Sequence, residues 1–245
     1  MNNTYKINYE IKYSEVDSFY KLRLDHIFLH FENIADLHSK EMKTDGEVLL
    51  KKSNVFWVLT KMKLKIADFP RSGETITVET WPLKAKGVRY DRDFCLCNAD
   101  KPLVMGSSEW CTLDYTSHKL RRVDSVAYPQ DMQFRDDRSG AGEFLRAKEA
   151  VCDTDLHHTY RSSFVDIDTN KHTNNVAYLR MVLNCFSPDE FELMKMDEFQ
   201  INFLSQTFYG DEIKIYKKKV DNGFYIEGKC NETTVFNCII LVENI

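Results

Sequence analysis

Asp168, Asn170 and His172 place a carboxylate, an amide and an imidazole at every second position of one short run, D-x-N-x-H. In an extended segment alternate side chains point the same way, so the three can converge on one spot. The run leads directly into an apolar stretch, Val176 to Phe186, that reads as a helix. The start of that helix, at Asn174 and Asn175, offers free N–H groups and the positive end of a dipole. A base or nucleophile, two polar groups and an oxyanion-stabilising element within eight residues suit attack on a carbonyl. Asp, Thr and Asn are also the ordinary residues of turns and helix caps, and spacing alone leaves both readings open.

The elements that would position this run occur twice. The first copy opens with an alternating strand pattern, Tyr5 to Tyr13, followed by Asp17. Leu24, Ile27, Phe28, Phe31, Ile34 and Ala35 then recur at helical spacing. Strand patterns follow at Lys61–Ile66, Thr75–Trp81, Arg89–Cys97 and Leu103–Leu113. The second copy has a strand at Thr159–Val165, Asp168 where Asp17 stood, the helix Val176–Phe186, and strands at Glu198–Leu204, Glu212–Val220, Phe224–Cys230 and Thr234–Val242. Gly73-Glu74 and Gly210-Asp211 mark matching turns, and Asn222-Gly223 marks a two-residue hairpin turn. This order predicts an α+β chain of two tandem hotdog units, each a long helix wrapped by a curved antiparallel sheet. A single α+β domain with halves alike by chance is the alternative. The copies differ chemically: Phe19 and Lys21 stand where the second copy has Asn170 and His172. The first copy keeps the carboxylate without its partners.

The run Asp166-Ile167-Asp168-Thr169-Asn170-Lys171-His172-Thr173-Asn174-Asn175, with Tyr178 after it, resembles the active-site signature of acyl-acyl carrier protein (acyl-ACP) thioesterases, close to D-x-D-x-N-x-H-x-N-N-x-x-Y. Looser similarity extends over nearly the whole chain. The resemblance implies an N-terminal hotdog over residues 1–118 that forms the acyl-chain pocket, a connector over 119–155, and a catalytic C-terminal hotdog over 156–245. Pocket residues would be Leu24, Phe28, Phe31 and Trp57, with Ile34, Met62, Leu64 and Ile66 beside them. Any fold would bury most of these. The family commonly carries a Glu just before the second Gly-Asp turn; Gln206 stands there in this chain, and an amide orients a water without acting as a base. The implied activity is hydrolysis of a fatty acyl-ACP thioester to free fatty acid and carrier. Asp168 would attack or activate water, His172 would exchange protons or polarise the carbonyl, and Asn170 with the N–H groups of Asn174 and Asn175 would hold the oxyanion. The partner would be the carrier protein with its acyl-phosphopantetheine. No metal or organic cofactor is implied. An acyl-CoA thioesterase, a hotdog hydratase or dehydratase, and a non-enzymatic acyl-binding module are the rival readings. Here Lys171 replaces the Pro of one dehydratase pattern, and the intact D-x-N-x-H argues against a binding module.

Composition narrows the field. The chain has 245 residues, 43% hydrophobic and 29% charged, an ordinary globular balance. A formal net charge of −5 argues against general nucleic-acid binding. No apolar run approaches the ~18 residues of a membrane span, and no secretory signal opens the chain, so a cytoplasmic protein is expected. Oligomeric state stays open, with a homodimer allowed. The seven cysteines contain no C-x-x-C pair, which points to reduced, buried thiols rather than zinc. His157-His158 would point to opposite sides of a strand and read as a solvated pair. Basic clusters at Lys61/Lys63/Lys65, Lys84/Lys86/Arg89, Arg121/Arg122 and Lys217/Lys218/Lys219 offer docking surfaces for an acidic carrier, although a solvated strand face explains each one alone.

Overall fold

The computed structural model describes residues 3–99, 101–129 and 132–243. They form two units that divide between Gly142 and Glu143. In the first, strand β1 (Tyr5–Glu10) leads through a 3-10 turn (Tyr13–Glu15) into helix α1 (Leu24–Glu41) and helix α2 (Gly46–Ser53). Strands β2 (Val55–Ile66), β3 (Thr75–Pro82), β4 (Tyr90–Asn98) and β5 (Lys101–Asp114) follow. They pair antiparallel in the order β1-β3-β4-β5-β2. The second unit runs through β6 (Leu156–Arg161), a 3-10 turn (Phe164–Asp166), α3 (Asn175–Leu183), α4 (Pro188–Leu193), β7 (Met196–Phe203), β8 (Glu212–Val220), β9 (Gly223–Cys230) and β10 (Thr233–Val242). Its antiparallel order is β6-β8-β9-β10-β7. Each strand has a counterpart at the same place in the other unit, so the repeated order of elements is a repeated topology.

The helical spacing of α1 fixes what it buries. Leu24, Ile27, Phe28, Phe31, Ile34 and Ala35 form one face and are all buried. Phe31 stacks on Phe94 of β4 with ring centroids 4.7 Å apart. This approach requires a glycine in β5, since a Cβ on Gly106 would sit 2.6 Å from the Phe31 ring. In the second unit α3 buries Val176, Ala177, Tyr178, Leu179, Met181 and Val182.

Several boundaries differ from the sequence reading. Helix α2 was not expected; Asp45 starts it by accepting from Glu47 N and Val48 N. Helix α4 was not expected either; it has Ser187 as its cap and Pro188 in its first turn. The helix expected to reach Phe186 stops at Leu183. The hairpin turn lies one residue early, with Asp221 and Asn222 between the paired Val220 and Gly223. The connector holds two 3-10 turns, Val123–Ser125 and Asp153–Asp155. Its first part belongs to the first unit: Val123, Val126 and Tyr128 pack with Met42, Leu49, Val55 and Tyr90, and Arg138 pairs with buried Asp93 at 2.9 Å. Its last part belongs to the second, where the Leu145 backbone brackets the Gln200 amide at 2.6 and 2.9 Å. Among the described residues no helix is long and apolar enough to cross a membrane.

Candidate active site

The D-x-N-x-H run is a tight turn and not an extended strand. Ile167 and Thr173 pair across it, Asp168 N donates to His172 O at 2.8 Å, and Lys171 adopts a positive φ of 67°. Asp168 clasps this turn: its Oδ1 accepts from Asn170 N at 2.8 Å and His172 N at 3.1 Å. The first unit builds the same turn. Val16 pairs with Leu22, Asp17 Oδ1 accepts from Phe19 N and Lys21 N at 2.9 Å each, and Tyr20 has φ 64°. In place of the expected extended run there is a loop whose carboxylate is its own clamp.

Each polar residue of the run has a distinct task. Asp166 is buried, and its Oδ2 accepts from Tyr160 Oη at 2.9 Å and from Ser163 N and Oγ at 2.8 Å each. Asn174 caps α3, its Oδ1 accepting from Ala177 N at 2.7 Å. The Asn174 N–H already donates to Asp166 O at 2.8 Å, so the oxyanion role expected of that group does not fit. Asn175 is the first residue of α3. Asn170 is exposed and leans its amide toward Asp168 Oδ2 at 3.4 Å. His172 is half-buried, packs edge-on to Phe208 at 5.2 Å, and its ring nitrogens carry no hydrogen bond among the described residues. One carboxylate oxygen, one amide and one imidazole are thus left for chemistry. Asp168 also lines a depression of about 620 Å³ with Phe164, Val165, Ile167, Lys171 and Tyr209. Phe164, Val165 and Tyr209 are exposed apolar side chains at its rim.

Behind the turn lies a chain of buried hydroxyls that the sequence reading missed. Ser162 Oγ, Thr173 Oγ1, Thr207 Oγ1 and Tyr178 Oη are linked by three contacts of 2.8 Å each. Thr207 N also donates to Tyr178 Oη at 3.1 Å, and Thr173 N donates to Thr207 O. Tyr178 stood in the signature, but only folding shows that its hydroxyl anchors the residue next to His172. Gln206 was expected at the end of a strand. It lies three residues beyond Phe203, exposed, in the loop that carries Thr207.

The first unit encloses a cavity of about 230 Å³ with Trp57, Tyr90, Trp110, Tyr128 and Arg92 on its wall. Trp57 was expected there. Leu24, Phe28 and Phe31 are instead buried in the packing and do not line it. The cavity follows Glu32, Asp36 and Ser39, a stripe of α1 displaced by about 100° around the axis from its core face, with Ala35 of that face at its edge. Arg92 breaks the apolar character. It is buried, its Nη1 contacts His38 Nδ1 at 3.1 Å and Thr80 Oγ1 at 3.2 Å, and burial lowers its pKa to about 10.

Cysteines offer no activated nucleophile: burial pushes Cys95 and Cys185 up to about 12 and Cys111 to about 11. Cys95 and Cys97 share a strand face, with sulfurs 3.1 Å apart. The histidine pair departs from expectation. A register shift between Leu156 and His158 breaks the alternation of β6, and the two Nδ1 atoms meet at 2.9 Å. Most basic clusters carry acidic partners, including Lys61 and Arg89 with Glu109, Arg121 with Asp114, and Lys218 with Glu149.

Comparison with known proteins places the chain in one family. The family model of the acyl-ACP thioesterase N-terminal domain matches residues 2–128, and that of the C-terminal domain matches residues 149–241. A chloroplastic palmitoyl-acyl carrier protein thioesterase of Cuphea hookeriana is 23% identical over 211 residues, 81% of this chain and 51% of the relative. The chain spans about half the length of the curated relatives it matches. The crystal structure of an acyl-ACP thioesterase from Bacteroides thetaiotaomicron superposes with a TM-score of 0.87 at 22% identity, covering 98% of each chain. The 12:0-ACP thioesterase from Umbellularia californica gives 0.85 at 14% identity, covering 99% of this chain and 98% of that one. Both have the double-hotdog fold, which is the fold of this chain.

Proposed function

The chain belongs to the acyl-ACP thioesterase family, and from that premise we propose that it hydrolyses the thioester of a fatty acyl-ACP, releasing free fatty acid and the carrier thiol. The observation that carries this reading is the asymmetry of the two turns. Both have the clasping aspartate, but only the second adds Asn170 and His172, with the imidazole nitrogens open.

The chemistry follows from the groups left uncommitted. A thioester carbonyl is electrophilic and a thiolate is a fair leaving group, so the protein must place a nucleophile, move a proton and hold the oxyanion. Asp168 Oδ1 is occupied by two backbone N–H bonds. Its Oδ2 is the oxygen that attacks the carbonyl or holds the attacking water. In the water route His172 takes the water's proton and returns it to the departing sulfur; in the other, Asp168 expels the thiolate as a mixed anhydride forms, and His172 takes the proton of the water that then hydrolyses the anhydride. Asn170 Nδ2 donates to the oxyanion. Gln206, on the loop of Thr207, is retained as a group that orients water. The first unit's cavity holds the acyl chain against Trp57, Tyr90, Trp110 and Tyr128. Each buried methylene contributes about 0.8 kcal/mol. Cysteines that are all free thiols fit a reducing, cytoplasmic setting.

The deciding assay compares hydrolysis of acyl-ACP and acyl-CoA over a series of chain lengths. Higher kcat/KM for acyl-ACP is the expected result. Equal values reassign the carrier to CoA, and no turnover of either thioester overturns the reading.

A further inference from the structure

We propose that His157, His158 and Cys185 form a transition-metal site in the second unit, with zinc the ion that fits. Each residue offers one ligand atom, and these atoms all lie within 4.8 Å of one another. The architecture explains how adjacent histidines come to cooperate. In a regular strand they would face apart. The bulge at the start of β6 turns His157 out of register, and the imidazoles meet at 2.9 Å through Nδ1. Cys185 arrives from the other side, on the turn after α3, where Lys217 Nζ of β8 donates to its carbonyl at 2.7 Å. The site would therefore tie the sheet edge to the end of the helix.

The donor set is two imidazoles and one thiol, borderline-soft and suited to zinc. A tetrahedral ion with Zn–N near 2.1 Å and Zn–S near 2.3 Å separates its ligand atoms by about 3.3–3.6 Å. The imidazole pair needs only a few tenths of an ångström of opening to accept it. His158 Nε2 is buried and has no hydrogen-bond partner among the described residues, so the ring lacks a settled protein environment. Cys185 Sγ now makes only a weak 3.6 Å contact to Met181 O. Its thiol proton leaves to solvent as the metal–sulfur bond forms. Glu190, 3.8 Å from Lys217, offsets that cation beside the ion. Three protein ligands leave the fourth position to water.

The test is titration of the metal-stripped full chain with Zn²⁺ by calorimetry, and with Co²⁺ by absorbance. The expected result is one equivalent bound per chain, release of a proton, a raised Tm and a thiolate-to-cobalt charge-transfer band. Cys185→Ser should abolish the band. His158→Ala should abolish tight binding, and His157→Ala, at an exposed position that does not threaten folding, should weaken it at least about tenfold. No stoichiometric binding, a band that survives Cys185→Ser, or unchanged affinity in His157→Ala would overturn the proposal.

Discussion

Lys21 and His172 stand at the same place in two copies of one turn, and that comparison separates scaffold from chemistry residue by residue. Asp17 and Asp168 make the same pair of backbone bonds, so the carboxylate is first a structural clasp. The D-x-N-x-H run was legible in the sequence because its residue types are specific. Its geometry was not, because a turn with Lys171 at positive φ can be read from neither alternation nor helical period. Another buried carboxylate marks the first unit: Glu15 Oε1 lies 3.2 Å from His30 Nε2. Burial lowers the His30 pKa from 6.5, outweighing the attraction of Glu15. A depressed folded-state pKa means that the stability contribution is present above pH 6.5 and is lost as pH falls through the folded value. Unfolding free energy should therefore drop on acidification below pH 6.5, by up to about 1.4 kcal/mol per pH unit for one proton. His30→Gln should flatten that slope in denaturant titrations at a series of pH values; an unchanged slope assigns it to other groups, His158 among them.

At the scale of elements, the hydroxyl chain from Ser162 through Thr173 and Thr207 to Tyr178 joins the turn, α3 and the loop after β7. Tyr178→Phe removes one hydroxyl and leaves the Thr207 N–H without its acceptor, at a cost of about 1–3 kcal/mol. Thermal unfolding should show that loss, and kcat should fall while KM holds, since the substrate does not touch the chain. A Tm drop with unchanged kcat would make the network purely structural. These contacts link residues up to 34 positions apart, which no local pattern encodes. Helices α2 and α4 escaped for the opposite reason: they are short and carry weak apolar periodicity, and only the Asp45 and Ser187 caps announced them. Strands with strict alternation, such as Lys61–Ile66 within β2, were legible because one face of each is buried.

Across the whole chain, a repeated topology carries one chemically equipped turn and one bare one. The first unit is left with the aromatic cavity, and Arg92 on its wall is the feature that sequence patterning concealed: a cation in a strand reads as solvent-facing. Arg92→Met should remove the buried cation from the wall, and kcat/KM should rise for longer acyl chains relative to shorter ones; an unaltered chain-length profile would place the acyl group elsewhere. The division of labour between the units is tested most directly by kcat on a single acyl-ACP for folded Asp168→Asn, Asn170→Ala, His172→Ala and Asp17→Asn variants. The asparagine replacements retain an acceptor for the turn while removing the charge. We expect His172→Ala to lower kcat by about 10²–10⁴ and Asn170→Ala by about 10². Asp168→Asn should fall markedly, with Asp17→Asn near the wild-type rate. Near-wild-type turnover in both Asp168→Asn and His172→Ala would contradict the account and put the active site outside this turn.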